Sequence, residues 1–296
     1  YSHERPTLPL NSHIDTVRPV NGWTRNPFSP DDDGERIYGL GSNDAGASVV
    51  SLTAAFLLLS QRQQRYNLVF LASCEEEVSG KGGIEAVLPL LPKIDVALVG
   101  EPTGMHPAVA EKGLMVLDGE IAGKSGHAAR DEGENAIYKA LPMIERLRSL
   151  SFPLTSAHLG PVKISVTQIS AGTQHNVVPD MCRIVVDVRT TDAYTNEQTL
   201  EMIRQAVPFC TLTPRSVRLR PSGINEQHPI VRRLVIAGRK PFGSPTLSDQ
   251  ALMPFPSLKI GPGESARSHT ADEYITYDEI REAIQIYFTT LDGLAI

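Results

Sequence analysis

The sequence predicts an α/β protein with a mostly parallel sheet, helices on both faces, and an inserted α+β domain. Apolar runs of strand length alternate with helical segments over residues 7–99, and this alternation returns in the last quarter of the chain. After Lys112, four strand-like and two helical segments intervene. Alternating strands and helices favour a parallel sheet covered on both faces, whereas a run of strands with few helices favours a one-sided sheet. We expect a core domain over residues 1–112 and 221–296 and an inserted domain over residues 113–220.

The first part of the core is predicted as strands separated by helices. Thr7–His13 and Asn67–Ser73 have strand length, and the second is a continuous apolar run, as expected of a buried central strand. Further predicted elements are a helix over residues 45–63, a helix over 82–91 and a strand over 94–99. Because open α/β sheets place active sites at the carboxyl ends of strands, side chains just after these strands are the first functional candidates.

The inserted domain and the end of the chain carry the remaining predicted elements. In the inserted domain these are strands over residues 114–121, 162–169, 183–189 and 211–219 and helices over residues 134–150 and 196–207. The core resumes with a helix over residues 229–239, a strand over 256–260 and a final helix. That helix begins at a capping box formed by Thr276 and Glu279, and its apolar face comprises Ile280, Ile284, Tyr287 and Leu291.

Composition and charge exclude some classes of function. The net charge is −6 and the pI about 5.8, which argues against a nucleic-acid surface, because such a surface needs a basic face. The longest apolar stretch, residues 45–60, contains serine and threonine and is shorter than the roughly 20 apolar residues of a membrane span. We therefore expect a buried helix there, no membrane span and no nucleic-acid partner.

The cysteines and the start of the chain indicate its surroundings. Cys74, Cys182 and Cys210 lack the spacing of a metal finger, so we expect reduced thiols in a cytoplasmic protein and not a disulfide framework. Residues 1–6 have neither the basic start nor the apolar run of a signal peptide. Because a predicted strand begins almost at once, we expect that a preceding segment is missing from this sequence.

Seven acidic and histidine side chains lie where a predicted strand or loop ends. They are His13, Asp15, Asp44, Glu76, Glu77, Glu101 and His269. Imidazole and carboxylate ligands suit zinc or a similar divalent ion, and such an ion can activate water for hydrolysis. Taken singly, each has another interpretation; the acidic run over residues 75–77, for example, is also typical of a solvated helix start. Together they indicate a metal-dependent hydrolase.

Several short segments, taken together and in this order, resemble the M20 metallopeptidase family. They are His13-Ile-Asp-Thr-Val17, Trp23 with Asn26-Pro-Phe28, Ile37-Tyr-Gly-Leu-Gly41 with Asp44, Glu76-Glu77, Gly100-Glu-Pro102 and the late His269. Within the family they are most similar to the branch of the acetylornithine deacetylases and succinyl-diaminopimelate desuccinylases. The resemblance runs from about Pro9 to the C-terminus.

The resemblance implies two metal sites that share Asp44 as a bridging ligand. His13 and Glu101 would complete one site, and Glu77 and His269 would complete the other. Zinc is the expected metal, with cobalt as an alternative.

The resemblance also implies roles beyond the ligands. Asp15 would fix the ring orientation of His13, and Glu76 would act as the general base. His127, in Gly123-Lys-Ser-Gly-His127, resembles a histidine that one subunit lends to its partner's active site to bind the oxyanion. This implies a homodimer formed through the inserted domain. A plain turn residue is the alternative interpretation of His127.

Asn176, Arg189, Gly261 and Gly263 are candidate substrate contacts. Asn176 and Arg189 match family segments that contact the polar end of the substrate. The planar guanidinium of Arg189 could bind a carboxylate in two places, or it could pair with Asp187 for structure. The loop that holds Gly261 and Gly263 could direct N–H groups at a substrate anion, or it could be a plain turn.

The activity implied by the resemblance is that of a two-metal amidohydrolase that removes an N-acyl group from an amino acid. The substrate would be N-acetylornithine, N-acetylcitrulline or N-succinylornithine, which would place the enzyme in arginine biosynthesis. A metallo-dipeptidase or carboxypeptidase of the same family is the alternative, and a non-catalytic metal-binding dimer is a third interpretation. The family segment that often carries an arginine after Ser-Asp reads Ser248-Asp-Gln-Ala251 here, so recognition of the substrate's anion stays open.

Overall fold

The computed structural model describes residues 2–130 and 132–296. The chain forms two compact units. A core unit comprises the residues up to Glu111 together with Ser222–Ile296, and an inserted unit comprises Lys112–Pro221. Each unit has its own buried apolar cluster. The unit boundaries differ by one residue from those expected from the sequence.

Strands and helices alternate along most of the chain. In the described residues the strands are β1 (Thr7–His13), β2 (Asp31–Asp32), β3 (Arg36–Tyr38), β4 (Asn67–Ser73), β5 (Ala97–Val99), β6 (Ala108–Glu111), β7 (Gly113–Ala122), β8 (Lys163–Ala171), β9 (Met181–Thr190), β10 (Thr211–Pro214), β11 (Ser222–Gly223), β12 (Phe242–Ser244), β13 (Ser257–Lys259) and β14 (Tyr274–Thr276). The α-helices are α1 (Ala47–Ser60), α2 (Ile84–Val87), α3 (Ala136–Ser149), α4 (Asn196–Ala206), α5 (Pro229–Ile236) and α6 (Tyr277–Leu291). A π-helical turn precedes α1 at Ser42–Gly46, and short 3₁₀ turns lie at Leu88–Leu90, Asp249–Leu252 and Ser265–Arg267.

The sheet of the core unit is mostly parallel. Its described strands lie in the order β11-β6-β13-β5-β1-β4, with β12 beside β6. β1 pairs in parallel with both β4 and β5, and β5 pairs in parallel with β13, whereas β6 runs antiparallel to β13. The parallel strands therefore end at the same edge of the sheet.

Helices cover both faces of this sheet. Leu98 of β5 packs in a cluster with apolar side chains of α1, α5 and α6. Its neighbours Ala97 and Val99 pack in another cluster with Ile84 of α2 and with Met253. Because successive residues of a strand point to opposite faces, the two clusters lie on opposite sides of the sheet. The expected α/β core with helices on both faces is confirmed.

The strand expected at the centre of the sheet, β4, lies at its edge instead. Among the described residues it pairs with β1 alone. Phe70 packs towards α1, with its ring 6.0 Å from that of Phe56, while Leu71 packs with the cluster of α2 on the opposite face. The prediction was wrong because a continuous apolar run indicates only that both faces of a strand are buried. It does not indicate whether the strand has a neighbouring strand on one side or on both.

One helical stretch, Ser42–Ser60, is long and apolar enough to cross a membrane by length and composition. Its first residues form the π-helical turn, where Asp44 and Ala45 leave helical backbone geometry. The continuous helix α1 has 14 residues and is about 21 Å long, which is short of a bilayer core of about 30 Å. Leu52 and Leu59 are fully buried in the core unit. The stretch is the core helix that the sequence predicts.

Smaller differences from the predicted elements occur at their ends. The helix expected over residues 82–91 is a single turn, α2, followed by a 3₁₀ turn that contains Pro89, since proline cannot donate a helical hydrogen bond. The strand expected over residues 211–219 ends at Pro214 for the same reason. The predicted capping box of α6 is present: Thr276 Oγ1 accepts from Glu279 N, and the Glu279 carboxylate accepts from Thr276 N at 3.0 Å.

The inserted unit has the expected α+β composition. Its strands form an antiparallel sheet in the order β10-β7-β9-β8. Buried and less buried residues alternate along β9, and its buried side chains pack in one cluster with α3 and α4. Both helices therefore pack on one face, as predicted for a one-sided sheet.

A third sheet, in the order β14-β3-β2, was not predicted. Tyr38 of β3 lies opposite Tyr274 of β14, with the two rings 5.7 Å apart. Strands of two or three residues are too short to show a readable alternation. This sheet matters for function, because it brings the segment after β3, which contains Asp44, beside the segment before β14, which contains His269.

Candidate metal centre

Four of the candidate residues follow neighbouring parallel strands of the core sheet. His13 is the last residue of β1, Glu76 and Glu77 come shortly after β4, and Glu101 comes shortly after β5. β1 lies between the other two strands, and His13 is in register with Ser73. The carboxyl ends of these strands bring the four side chains to one place.

Loops supply the remaining two candidate ligands. Asp44 lies in the π-helical turn just before α1. His269 follows the 3₁₀ turn Ser265–Arg267 and has a positive φ of 60°, a left-handed conformation that few non-glycine residues adopt. The side chain of His269 is 52% exposed, whereas that of Asp44 is 13% exposed.

The two oxygens of Asp44 face two separate groups of donors. Oδ1 lies 3.2 Å from Nε2 of His13, and that nitrogen lies 3.6 Å from Oε1 of Glu101. Oδ2 lies 3.7 Å from Nε2 of His269, and that nitrogen lies 3.2 Å from Oε2 of Glu77. Within each group the ligand atoms lie within 4.8 Å of one another. Asp44 belongs to both groups.

The donor chemistry of these groups fits divalent metal ions. Each group combines one imidazole nitrogen with carboxylate oxygens, the ligand types that bind zinc, and three protein ligands leave a position for water or substrate. His13 is 1% exposed and Glu101 is 9% exposed, while His269 is open to solvent. The residues present therefore fit two ions that share Asp44. The site at His13 and Glu101 is buried, and the site at His269 is accessible to solvent.

Asp15 supports both His13 and the turn that follows β4. Nδ1 of His13 lies 2.9 Å from the backbone carbonyl oxygen of Asp15 and 3.6 Å from its carboxylate. Because a carbonyl only accepts, Nδ1 carries a proton, so the proton that a metal would displace from this ring is the one on Nε2. The carboxylate accepts the N–H groups of Glu76 and Glu77, each at 3.2 Å. The carbonyl of Asp15 thus orients the ring, and its carboxylate holds the two glutamates.

The acidic run over residues 75–77 forms a tight turn and not a helix start. Glu75 has a positive φ of 59°, and its carboxylate accepts the N–H of Gly82 at 2.8 Å. A Cβ at Gly83 would collide with the backbone oxygen of Cys74, so glycine is required at that position of the turn. The turn places Glu77 in a donor group and Glu76 on the wall of a cavity.

Burial raises the pKa of the three glutamates of this cluster, Glu76, Glu77 and Glu101. Burial raises the pKa of Glu76, and the negative charge of Glu101 adds to the effect, so that this pKa reaches about 10. Burial and the charge of Asp44 raise the pKa of Glu77. Burial lowers the pKa of His13, but its hydrogen bond to Asp44 and the charge of Glu76 outweigh this and raise it to about 9. The cluster therefore attracts positive charge, as a metal site should.

A cavity of about 350 Å³ opens onto these side chains. Its lining includes Glu76 and four of the five candidate ligands, namely Asp44, Glu77, Glu101 and His269. Another wall is formed by the segment over residues 242–247, including Phe242, Thr246 and Leu247. Sequence reasoning missed this wall, because the segment contains neither acidic nor histidine residues and no long periodic element. The cavity has the size of a site for a small organic ligand.

A buried ion pair at the cavity, whose Lys259 is one of the lining residues, was also missed. Lys259 Nζ lies 2.7 Å from Glu111 Oε2, and both side chains are at most 3% exposed. Lys259 also donates to the carbonyl oxygen of Thr246 at 3.1 Å, and Glu111 accepts from Ser248 N at 3.0 Å. The pair therefore anchors the C-terminal end of the segment over residues 242–247 that lines the cavity. A lysine inside the predicted apolar strand over residues 256–260 was the signal that could have revealed it.

Asp249 connects this segment to the strands that carry the ligands. Its Oδ2 accepts from Asn11 Nδ2 at 2.8 Å and from Ser73 Oγ at 2.6 Å, and the side chain is 3% exposed. Asn11 precedes His13 in β1, and Ser73 is the last residue of β4. A buried carboxylate thus ties together the two strand ends from which the centre is built.

The glycine loop near His269 is a structural turn. The N–H of Gly261 donates to Thr103 Oγ1 at 3.1 Å, and its carbonyl oxygen accepts from Met105 N at 2.9 Å. A side chain at Gly261 would collide with Glu101, and one at Gly263 would collide with Asn43. Of the two alternatives for this loop, the hydrogen bond from the Gly261 N–H to Thr103 favours a plain turn, and contact with a substrate anion stays a prediction.

Arg189 is paired within the inserted unit. Its Nε and Nη2 donate to the two carboxylate oxygens of Asp187 at 3.0 and 3.2 Å. This geometry supports the structural alternative for Arg189, because its guanidinium already forms a bidentate pair with the Asp187 carboxylate.

His127 and Asn176 lie on adjacent loops of the inserted unit. The carbonyl oxygen of Asn176 accepts from Ala128 N at 3.0 Å, and His127 forms a bridge with Val177. Both side chains are exposed. Nδ1 of His127 accepts the N–H of Ala129 at 3.1 Å, which leaves Nε2 as the protonated nitrogen.

Comparison with known proteins extends these observations. The chain is 30% identical over 300 residues to an acetylornithine deacetylase of Myxococcus xanthus, an alignment that covers 93% of this chain and 77% of that protein. It is 32% identical over 213 residues to a succinyl-diaminopimelate desuccinylase of Paracoccus denitrificans (strain Pd 1222). That alignment covers 67% of this chain and 56% of that protein, so it spans little more than half the length of this relative.

A solved structure shows the same fold. It is the Bacillus subtilis YXEP protein, described as a dinuclear metal binding peptidase from the M20 family. The similarity has a TM-score of 0.68 at 18% identity and covers 99% of this chain and 83% of that chain. The model of the peptidase family M20/M25/M40 matches residues 10–293. The chain therefore belongs to this family.

Proposed function

We propose that this protein is a two-metal amidohydrolase that removes an N-acyl group from an amino acid. The observation that carries the proposal is the Asp44 carboxylate, which is shared by the two donor groups. Two divalent ions would be held there, with zinc as the first choice for this ligand set and cobalt as the alternative. The family match and relatives named as a deacetylase and a desuccinylase support this reaction.

Bound metals would polarise the acyl carbonyl and lower the pKa of water at the site. Glu76 is the general base. Its carboxylate takes a proton from the attacking water as the water oxygen bonds to the acyl carbon, and returns it to the nitrogen as the C–N bond breaks. Glu76 suits this role because it lines the cavity and belongs to neither donor group. Its backbone N–H is held by Asp15, which limits the directions its side chain can take.

The same arrangement couples metal binding to the state of the base. The pKa of Glu76 is raised to about 10 by burial and by the charge of Glu101. A carboxyl with that pKa is protonated at neutral pH and cannot accept a proton. Positive charge beside a carboxyl lowers its pKa. Metal ions held by the ligands would therefore lower the pKa of Glu76 and allow it to act as the base.

The inserted unit is proposed to contribute from a second subunit of a homodimer. In this proposal His127 donates a hydrogen bond from Nε2 to the oxyanion that develops in the partner's active site. The tautomer supports the role, because Nδ1 is already an acceptor for Ala129 N. Asn176, on the adjacent loop, is proposed to contact the polar end of the substrate.

The proposed substrate is N-acetylornithine, with N-acetylcitrulline and N-succinylornithine as close alternatives, which places the reaction in arginine biosynthesis. The relative named acetylornithine deacetylase, aligned over 93% of this chain, supports the choice. A second candidate, a metallo-dipeptidase or carboxypeptidase, is favoured by the structural neighbour described as a peptidase.

A substrate panel distinguishes these functions. The zinc- or cobalt-loaded protein is tested against N-acetylornithine, N-acetylcitrulline, N-succinylornithine and a series of dipeptides, and kcat/KM is compared. We expect an N-acyl amino acid to be the best substrate. Preference for dipeptides would assign the peptidase function, and two bound metals without hydrolysis of any compound would leave the non-catalytic dimer.

A further inference from the structure

Glu273 is a buried carboxylate whose partners are backbone N–H groups of the loop that carries Asp44. Its Oε1 accepts from Asn43 N at 3.0 Å and from Asp44 N at 2.9 Å, and its Oε2 accepts from Gly41 N at 3.0 Å. Glu273 is 2% exposed. Hydrogen bonds from N–H groups to an ionised carboxylate are about twice as strong as neutral ones.

The loop needs such an acceptor because its backbone is irregular. Asp44 has φ −120° and ψ 94°, which interrupts the helical turn at Ser42–Gly46. The first N–H groups of a helix have no acceptor within the helix itself. Here the Glu273 carboxylate satisfies three of them, and it also sets the path of the backbone into Asp44.

Further contacts join the same two segments. The backbone carbonyl of Glu273 accepts from Gly39 N at 3.0 Å, next to the pairing of β3 with β14. The Asn43 side chain donates to the carbonyl oxygen of Glu264 at 3.2 Å and to Ser268 Oγ at 3.3 Å. These contacts hold the loop of Asp44 against the segment that carries His269.

Glu273 has no place in either donor group. Among the described residues the ion pairs do not include it, so backbone N–H groups are its stabilising partners. A buried carboxylate without a cation is costly to retain. The free energy lost by burying this charge is offset by the hydrogen bonds from the backbone, and these bonds fix the position of Asp44, the residue that both groups share.

We propose that Glu273 is a positioning residue for the metal centre: it holds the backbone of residues 41–44 so that Asp44 faces both His13 and His269 before any metal binds. The inference rests on the proposed two-metal function. Glu273 acts through Asp44 and does not touch the substrate.

The substitution Glu273→Gln tests this role. A glutamine keeps one acceptor oxygen, but its NH₂ group faces an N–H group where Glu273 now accepts, so at least one hydrogen bond is lost and donors oppose each other. We expect metal affinity, measured by titration calorimetry, to fall about 10–100-fold, as is usual when a residue that orients a ligand is changed. The visible absorption spectrum of the cobalt-loaded protein should change as well, because it reports ligand geometry.

Asp272→Asn is the matched control. Asp272 is adjacent in sequence, and its carboxylate also accepts backbone N–H groups, from Thr24 at 2.9 Å and Arg25 at 3.1 Å. That segment carries no candidate ligand. The control should lower thermal stability without changing metal affinity or the cobalt spectrum.

The outcomes separate this inference from the proposed function. Wild-type protein that binds fewer than two metals contradicts the two-metal function itself. Two metals in the wild type, with unchanged affinity and spectrum in Glu273→Gln, would overturn the positioning role alone. Equal loss of affinity in Asp272→Asn would also overturn it, since general destabilisation would then explain both variants.

A measurement on the wild type covers the case in which Glu273→Gln does not fold. Hydrogen exchange of the metal-free protein should show the amides of Asn43 and Asp44 protected at least about tenfold relative to an unstructured chain. Unprotected amides in the folded metal-free protein would show that Glu273 does not hold the loop in advance.

Discussion

The carboxylate of Asp15 accepts the backbone N–H of Glu76 at 3.2 Å, and thereby links the strand end that carries His13 to the turn that carries the proposed base. The other oxygen of Asp15 accepts from Glu77 N at the same distance. One carboxylate therefore sets the starting direction of two adjacent side chains with different functions, since Glu77 belongs to a donor group and Glu76 lines the cavity.

Asp15→Asn should impair catalysis while the protein stays folded. An asparagine can accept from one of the two N–H groups but presents NH₂ to the other, so the turn shifts. We expect kcat to fall about 10–100-fold with a small change in KM. Steady-state kinetics and thermal melting test this. The control is Asp33→Asn, since Asp33 is an exposed carboxylate that accepts the N–H groups of Glu35 and Arg36. Its kinetics should not change. If the kinetics of Asp15→Asn were also unchanged, the turn would not depend on Asp15.

Glu76→Gln should separate catalysis from metal binding. Glutamine has nearly the shape of glutamate but cannot take a proton, so we expect kcat to fall by about 10²–10⁴. Metal content, measured by inductively coupled plasma mass spectrometry, should stay at two ions per chain. If the variant lost one ion, Glu76 would be a ligand, and the division of roles between Glu76 and Glu77 would be wrong.

Metal-free protein should lose stability as the pH rises. The pKa of His13 is raised to about 9, so its stabilising charge is fully present below about 6.5 and is lost as the pH passes 9. The pKa of Glu76 is raised from 4.5 to about 10, so the folded state favours its protonated form and is destabilised as the pH rises through that range. Both effects have the same sign.

Urea unfolding with a chelator and with zinc measures this dependence. The free energy of unfolding of the metal-free protein should fall between about pH 6 and pH 9, whereas zinc should stabilise the protein more at the higher pH, because its ligands are then deprotonated. The decline should be shallower in Glu76→Gln. A metal-free protein whose stability rises over this interval would contradict the account of the acidic cluster.

Mixed dimers test the proposed role of His127. Glu76→Gln and His127→Ala should each be nearly inactive alone. If His127 acts in the partner's site, a mixed dimer contains one site with Glu76 from one subunit and His127 from the other, and activity should return on mixing. Continued inactivity after verified subunit exchange would rule out action between subunits. Wild-type activity of His127→Ala alone would remove the residue from the mechanism.

Much of the core fold could be predicted because its elements are long and apolar. β1 and β4 were predicted with the bounds that the structure shows, and the ends of parallel strands must meet at one edge. The edge position of β4 could not be predicted, because helices on both faces make an edge strand as apolar as a central one. The strands β2, β3 and β14 are too short to leave a pattern.

The candidate ligands could be proposed from residue type and position, but the residues that hold them could not. Glu273 and Asp249 act through hydrogen bonds to backbone or side-chain groups more than 170 residues away in sequence. Such a partner is chosen by the tertiary fold, and an acidic residue near a strand gives no sign of it. Lys259 is the exception, because a lysine within an apolar strand predicts a buried partner.

The proposed mechanism requires that Asp44 lie between two metal ions. Anomalous diffraction at the zinc edge from crystals of the zinc-loaded protein tests it most directly. We expect two peaks about 3.5–4 Å apart, one beside His13 and Glu101 and the other beside Glu77 and His269, with a carboxylate oxygen of Asp44 on each. A single peak, or two peaks that do not share Asp44, would contradict the account.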